Sequence, residues 1–225
     1  MYKVIGIDEA GKGPVIGSMF IGFSIINLQD GLKDLNSYQK GLKDLGVKDS
    51  KLLTPKKRNE LYNKLKDQMD IKYAQLTPAL IDTNHANGGK LNQLEIDAIV
   101  KIVNDLEPDL IIIDALTATP DKFADDIKKK LSFECKIISE NKADSKYEIV
   151  GAASIIAKEL REQEMKEIKD NIKIDCGSGY PADPKTKEFL QKHWDSKEFD
   201  FIFRKSWQTY KDIASKSFQK TLDEF

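Results

Sequence analysis

Four acidic residues lie where short apolar segments end, and their side chains could meet in space. Asp8 and Glu9 directly follow one apolar segment, Asp114 follows another, and Asp144 precedes a long helical pattern. The apolar segments have the length and character of buried strands. In α/β sheets ligands bind at the carboxyl ends of the strands, so we expect the four carboxylates to converge on one site.

Clustered carboxylates repel one another, so cations must neutralise such a site. Hard oxygen ligands favour Mg²⁺ or Mn²⁺. Two divalent ions about 4 Å apart suit in-line phosphoryl transfer, because one activates water and the other stabilises the leaving oxygen. The two histidines, His85 and His193, have no helical pairing, which argues against a zinc site.

Structural roles remain open for individual acids. Asp144 fits a helix N-cap, and Asp114 fits a turn at the end of a strand. The pair Asp8 and Glu9 fits a structural role less well, because one of two adjacent strand side chains normally points back toward the core.

A glycine-rich turn and a tyrosine loop are the next candidates for binding. In Gly11-Lys12-Gly13 the glycines let the backbone approach a ligand and expose N–H donors; an ordinary turn between strands is the alternative. The spacing matches neither a P-loop nor a dinucleotide fingerprint. Tyr180 lies in the loop 177–181, where it could stack on a sugar or base or pack on the domain surface.

The elements that would position these residues alternate between strand and helix patterns. Two hairpin strands come first and strands then alternate with helices, which indicates an α/β fold with a mixed sheet. Residues 28–46 fit a surface helix or an excursion, and residues 166–183 look less regular. The predicted strands are 3–7, 17–26, 71–76, 110–114 and 135–139, and the predicted helices begin at Pro55, Pro120 and Pro184 or span 91–106, 149–160 and 207–218.

Composition excludes several classes of protein. A length of 225 residues with 40% hydrophobic side chains fits one domain, or one domain with a helical extension. The sequence has no apolar run long enough for a membrane span, and its first residues do not form a signal peptide. A net charge of −1 gives no overall attraction for a polyanion. Cys135 and Cys176 form no metal motif and are expected to be free thiols in a reducing cytoplasm.

Several segments, in a fixed order, resemble the motifs of ribonuclease HII, the type 2 ribonuclease H, in its archaeal form. The resemblance runs from Lys3 to about Lys211, and several motifs in one order are more specific than any one of them. The matching segments are residues 6–15, 48–54, 112–114, 142–146 with 151–158, 177–184 and 204–207.

The resemblance implies a ribonuclease H-like mixed sheet flanked by helices. The catalytic domain would span residues 1–165, and a helical C-terminal part with the tyrosine loop would span 166–225. It implies cleavage on the 5′ side of a ribonucleotide, leaving 3′-hydroxyl and 5′-phosphate ends, in RNA/DNA hybrids and in DNA duplexes with embedded ribonucleotides. The implied cofactors are two Mg²⁺ or Mn²⁺ ions, and the implied catalytic metal ligands are Asp8, Glu9, Asp114 and Asp144.

The resemblance also implies how the substrate is recognised. In the family the glycine loop and the tyrosine together read an RNA-to-DNA junction, which assigns Gly11, Lys12, Gly13 and Tyr180 to that role. We expect Lys51 and Lys146 to contact phosphates. The family usually has Arg where this chain has Lys12, and Lys lacks the planar fork of Arg. Junction preference should therefore weaken if that side chain bridges substrate groups.

The C-terminus suggests a protein partner. Gln219, Leu222 and Phe225 have the spacing of a Q-x-x-L-x-x-F clamp-binding peptide, which predicts a sliding clamp; a chance match is the alternative. We expect a cytoplasmic monomer.

Three other functions fit parts of the sequence. They are a DNA-specific two-metal nuclease, a non-catalytic nucleic-acid-binding subunit and a metal-stabilised structural domain. Cleavage of all-DNA duplexes would identify the first, and metal-free hybrid binding without cleavage the second. Melting that depends on Mg²⁺, without nuclease activity, would identify the third.

Overall fold

The strands of the chain pair into one mixed sheet. The computed structural model describes residues 1–47, 53–115 and 117–223, with side chains described to residue 216. Within these residues five strands form one sheet in the order β3-β2-β1-β4-β5. The strands are β1 (Tyr2–Ala10), β2 (Met19–Leu28), β3 (Asp70–Leu76), β4 (Leu110–Asp114) and β5 (Lys136–Glu140).

The pairing of the strands confirms the predicted mixed sheet. β1 pairs antiparallel with β2 and parallel with β4, and β4 pairs parallel with β5. One expectation about β1 is wrong: Asp8 and Glu9 lie inside the strand instead of following it. The reason is that the ladder with β2 continues until Ala10 faces Phe20.

Helices separate β2 from β3, β3 from β4 and β4 from β5, and others follow β5. The predicted helix starts at Pro55, Pro120 and Pro184 are confirmed. None of the described helices is long and apolar enough to cross a membrane. Residues 28–46, for which the sequence fitted either a surface helix or an excursion, contain a helix. The helices are α1 (Leu32–Leu45), α2 (Pro55–Gln68), α3 (Pro78–Ala86), α4 (Leu91–Leu106), α5 (Pro120–Lys128), α6 (Ala143–Lys146), α7 (Glu148–Ile172), α8 (Pro184–His193) and α9 (Gln208–Asp223), with a 3-10 helix at Lys197–Ile202.

Helix α7 is longer than the sequence pattern predicted. It has 25 residues and ends at Ile172, so the expectation of irregular structure is wrong for residues 166–172. Met165, Ile168 and Ile172 continue the three-and-four spacing and pack into an apolar cluster, which sustains the helix. The expected domain boundary after residue 165 falls inside α7.

The chain forms two compact units. The first, here called the sheet unit, contains Met1–Ala10, Phe20–Ala74 and Asn92–Leu160. The second, here called the helical unit, contains Gly11–Met19 and Gln75–Leu91 as well as Arg161–Phe225. Two segments from the N-terminal half of the chain therefore fold with its C-terminal part. The expected division at residue 165 stays a prediction about domains.

The first half of α7 lies very close to the sheet. A Cβ atom on Gly6 of β1 would lie 2.4 Å from the carbonyl oxygen of Ile149, and one on Gly22 of β2 would lie 2.4 Å from that of Ala153. The Ser24 hydroxyl donates a hydrogen bond of 2.6 Å to the Ile149 carbonyl. Because these glycines have no side chain, the helix backbone packs directly on the strands.

Candidate metal centre

Three carboxyl groups meet in the sheet unit. Asp8, Asp114 and Asp144 each place one carboxylate oxygen within 4.8 Å of the other two. Asp8 and Asp144 are only 5% and 4% exposed, and Asp114 is half-buried. The structure thus brings together three of the four acids that the sequence indicated.

The sheet places Asp8 and Asp114, and a short helix adds the third acid. β1 and β4 are parallel neighbours with Ile7 opposite Ile113, so the two aspartates that follow these residues lie side by side. The backbone N–H of Ala143 donates to Oδ1 of Asp114 at 3.1 Å, which ties the end of β4 to the start of α6. Asp144 is the next residue after this bond.

Asp144 does not cap its helix. The residue at the cap of α6 is Lys142, whose backbone is left-handed with φ 59°. Asp144 lies in the first turn, so the N-cap interpretation of this residue is wrong. A left-handed non-glycine residue costs conformational energy and often occurs beside functional sites. Here the left-handed turn immediately precedes the residues that complete the cluster.

The charge of the cluster is unfavourable in the absence of a cation. Burial, and to a smaller extent the neighbouring charge of Asp114, raise the pKa of the Asp8 carboxyl to about 7. The Ser154 hydroxyl, the Glu9 backbone N–H and the charge of Lys158 act on this pKa in the opposite direction. A bound cation would remove the repulsion. Carboxylate oxygens are hard ligands, so these three groups suit Mg²⁺ or Mn²⁺.

Two residues beside Asp8 were not given a role from the sequence. Ser154 hydrogen-bonds the Asp8 carboxylate and Lys158 contributes a positive charge to it. They are four residues apart on α7, so they share one helix face, and the close packing of α7 on the sheet brings that face to β1. A signal was present: both are polar residues adjoining the apolar stripe of α7.

Glu9 is not part of the group of three. Its backbone N–H donates to Oδ1 of Asp8 at 2.7 Å, and its side chain is half-buried. Successive strand side chains point to opposite faces, which explains why Asp8 and not Glu9 lies next to Asp114. Its role as a metal ligand stays a proposal.

In the helical unit the glycine turn lies against the tyrosine loop. A Cβ atom on Gly13 would lie 3.7 Å from Cε1 of the Tyr180 ring. The backbone N–H groups of Val15 and Ile16 both donate to the carbonyl of Gly179, at 2.8 and 3.3 Å. Tyr180 is 42% exposed. Two segments that sequence analysis singled out separately therefore form one surface.

A buried arginine hydrogen-bonds the backbone at the glycine turn and just after it. Arg204 is fully buried and donates from Nε to the Gly17 carbonyl at 2.8 Å and from Nη1 to the Lys12 carbonyl at 3.2 Å. Its guanidinium lies over the Trp207 ring, 5.0 Å from the centroid. Arg204 and Trp207 belong to the segment 204–207 that the sequence matched without giving it a role. Arg204 hydrogen-bonds the backbone of the turn, and Trp207 packs against its guanidinium.

The other candidate binding residues are less informative. Lys146 pairs with Glu140 in an exposed ion pair, and such pairs contribute little to stability. Lys51 lies outside the described residues, as does Phe225. The side chains of Gln219 and Leu222 lie outside the described ones too.

Comparisons with known proteins agree on one family. The family model described as ribonuclease HII matches residues 5–210. Ribonuclease HII of Pyrococcus horikoshii is 43% identical over 99% of both chains. The crystal structure of the ribonuclease H2 from Pyrococcus horikoshii OT3 superposes with a TM-score of 0.83 at 41% identity, covering 95% of this chain and 98% of that one. An RNase HII solved in complex with PCNA, from Archaeoglobus fulgidus, has a TM-score of 0.74 at 32% identity, with 84% and 85% covered.

Asp8→Asn should stabilise the metal-free protein at neutral and higher pH. An unfolded Asp titrates near 3.8, whereas the folded pKa of Asp8 is about 7, so the ionised carboxylate destabilises the folded state increasingly from about pH 4 to 7. The asparagine mimics the protonated acid. In urea unfolding with EDTA, the gain over wild type should grow by on the order of 2 kcal/mol between pH 5 and pH 8.

Asp97→Asn is the matched control, because Asp97 is exposed on α4 and forms an exposed ion pair with Lys130. Its effect should stay within about 0.5 kcal/mol at both pH values. Mg²⁺ should stabilise wild type more than Asp8→Asn. A gain from Asp8→Asn that does not change with pH would contradict this account of the site.

Proposed function

The chain belongs to the ribonuclease HII family, a family of metal-dependent ribonucleases H, and from this we propose that it cuts 5′ of ribonucleotides embedded in duplex DNA. On RNA/DNA hybrids it would hydrolyse the RNA strand. In both cases the products would carry 3′-hydroxyl and 5′-phosphate ends. Asp8, Glu9, Asp114 and Asp144 would be the catalytic metal ligands.

One observation carries the proposal. Three carboxylates lie within 4.8 Å of one another, two from the neighbouring strands β1 and β4 and one from the first turn of α6, and burial with mutual repulsion holds the pKa of Asp8 at about 7. A nucleic-acid-binding subunit without catalysis gains nothing from such a cluster, because carboxylates repel phosphates. The cluster therefore favours metal-assisted hydrolysis over simple binding.

The residues of the chain prepare the site for cations. Two bound divalent ions would supply water activation and stabilisation of the leaving oxygen. Asp8, Asp114 and Glu9 would hold the ion that stabilises the leaving oxygen, and Asp8 and Asp144 would hold the ion that activates water. Ser154 holds the orientation of the Asp8 carboxylate through its hydrogen bond.

The helical unit would recognise the substrate. Backbone N–H groups of Gly11 and Gly13 would meet the 2′-hydroxyl that marks a ribonucleotide. The exposed ring of Tyr180 would pack on the next sugar and favour a deoxyribose there. The contact of Gly13 with this ring supports a joint role. Lys51 and Lys146 would contact phosphates, and Lys12, between the two glycines, would act without the planar fork of Arg.

The C-terminus would bind a sliding clamp. The proposal extends to this partner because Gln219, Leu222 and Phe225 keep the spacing of a clamp-binding peptide. The related RNase HII from Archaeoglobus fulgidus has been solved with PCNA, which supports the same mode here.

Asp8→Asn should lower cleavage of a duplex with a single ribonucleotide by on the order of 10³-fold or more, because it removes a charge from the metal ligands. The measurement is gel-based cleavage with Mg²⁺ and with Mn²⁺, using an RNA/DNA hybrid and an all-DNA duplex beside the junction duplex. Asp97→Asn should cut like wild type. A folded Asp8→Asn protein with wild-type rates would end the assignment, and cleavage of the all-DNA duplex would favour a DNA nuclease.

Tyr180→Ala should lose cleavage selectively at single ribonucleotides, by about 10-fold, since stacking on a sugar or base matters most where one junction must be read. Cleavage of long RNA/DNA hybrids should fall by less than about 3-fold. Tyr73→Ala is the matched control, because Tyr73 is also exposed but lies on β3. An equal loss on both substrates would contradict the reading role of Tyr180.

Phe225→Ala and Leu222→Ala should each weaken binding to a purified archaeal sliding clamp by about 10-fold or more, because apolar anchors dominate such interfaces. Lys220→Ala, in the spacer of the same peptide, should change the affinity by less than about 2-fold. Calorimetry or fluorescence anisotropy measures the affinity. Unchanged binding by both anchor variants would remove the clamp from the proposal.

A further inference from the structure

The tyrosine of the helical unit has a partner of its own. Arg161, in α7, places its guanidinium carbon 4.7 Å from the centroid of the Tyr180 ring. A cation over an aromatic face attracts the ring. One face of Tyr180 is therefore occupied by protein, while 42% of the residue stays exposed.

The same arginine contacts both the glycine turn and the tyrosine loop. Nη2 of Arg161 donates to the carbonyl of Ser178 at 2.6 Å, two residues before the tyrosine. Its Cδ lies so close to Gly11 that an added Cβ there would be 2.9 Å away. Gly11 has φ 89°, a conformation that favours glycine. Arg161 thus lies between the glycine turn and the tyrosine loop.

Besides the hydrogen bond from Arg161, several hydrogen bonds within the helical unit hold the backbone of the tyrosine loop. The N–H of Gly179 donates to the Thr186 hydroxyl at 3.0 Å, and the N–H of Ser178 donates to Asp183 at 2.7 Å. Asp183 in turn donates from its own N–H to the Tyr180 carbonyl at 3.0 Å. Removal of the guanidinium should therefore leave the loop in place and change mainly the freedom of the ring.

We propose that Arg161 is a positioning residue for substrate reading, which holds the Tyr180 ring against Gly13 so that the ring is preorganised for the sugar. The proposal rests on the proposed function. A ring with no stacking partner would sample other rotamers and lose part of its binding free energy when it is ordered. Arg161 would then act through Tyr180 and not on the substrate itself.

A double-mutant cycle tests this dependence, using wild type, Arg161→Met, Tyr180→Ala and the double variant. Arg161→Met should lower kcat/KM on the single-ribonucleotide duplex by about 5-fold, and by less than about 2-fold on a long hybrid. In the Tyr180→Ala background the same change should cost less than about 2-fold on either substrate, because the ring it positions is absent. The kcat/KM of Arg161→Lys should lie between those of wild type and Arg161→Met, since lysine keeps the positive charge but lacks the planar guanidinium.

Lys166→Met controls for charge, because Lys166 is an exposed residue of the same helix. This change should alter kcat/KM equally on both substrates, because Lys166 would act only through general attraction to phosphate. Calorimetric titration with Mn²⁺ should give the same affinity for wild type and Arg161→Met, which would show an intact acid cluster.

Equal effects of Arg161→Met with and without Tyr180 would overturn the positioning role and indicate a direct contact with the substrate. An equal loss on both substrates would overturn it too. A wild-type chain that cuts neither substrate would instead end the proposed function and the reading role with it. Failure of the two ideas can therefore be distinguished.

Discussion

Repulsion between buried carboxylates is the constraint on which the site depends. Asp8 and Asp144 are almost fully buried. One carboxylate oxygen of each lies within 4.8 Å of one from Asp114, a spacing at which one hard cation can contact all three. Burial alone would favour protonation, and the raised pKa of Asp8 reflects this cost. A protein keeps such an arrangement when something else binds there, because unpaired buried charge is otherwise expensive.

The sheet and α7 together maintain this unfavourable cluster. Parallel pairing of β1 with β4 sets Asp8 and Asp114 side by side. Gly6 and Gly22 allow the backbone of α7 to pack directly on the strands, which carries Ser154 and Lys158 to Asp8. A side chain at either glycine would move the helix away. The precision of the acid cluster therefore depends on positions that bear no charge.

A second set of interactions organises the helical unit. Arg204 fixes the glycine turn through the carbonyls of Lys12 and Gly17, and Asp82 accepts hydrogen bonds from the N–H groups of Lys205 and Ser206 beside it. Arg161 packs on Tyr180. Both arginines use several contacts at once, which a planar guanidinium can make and an ammonium cannot. The contacts that hold the glycine turn and the tyrosine loop thus come from residues outside the acid cluster.

The sequence by itself determined the strands, most of the long helices and the chemistry of the acids. Apolar runs and capping residues before proline locate strands and helix starts, because burial and backbone hydrogen bonding act locally. Ordered motifs gave the family. The tertiary structure alone decided that Asp8 and Asp114 are neighbours while Glu9 lies outside the group of three, that Asp144 is not a cap, and that α7 runs to Ile172. It also decided that residues 11–19 fold with the C-terminal part. These features depend on the pairing of distant segments, on the close approach of backbones at glycines and on burial in a shared core. Local sequence patterns do not encode which distant segments will meet.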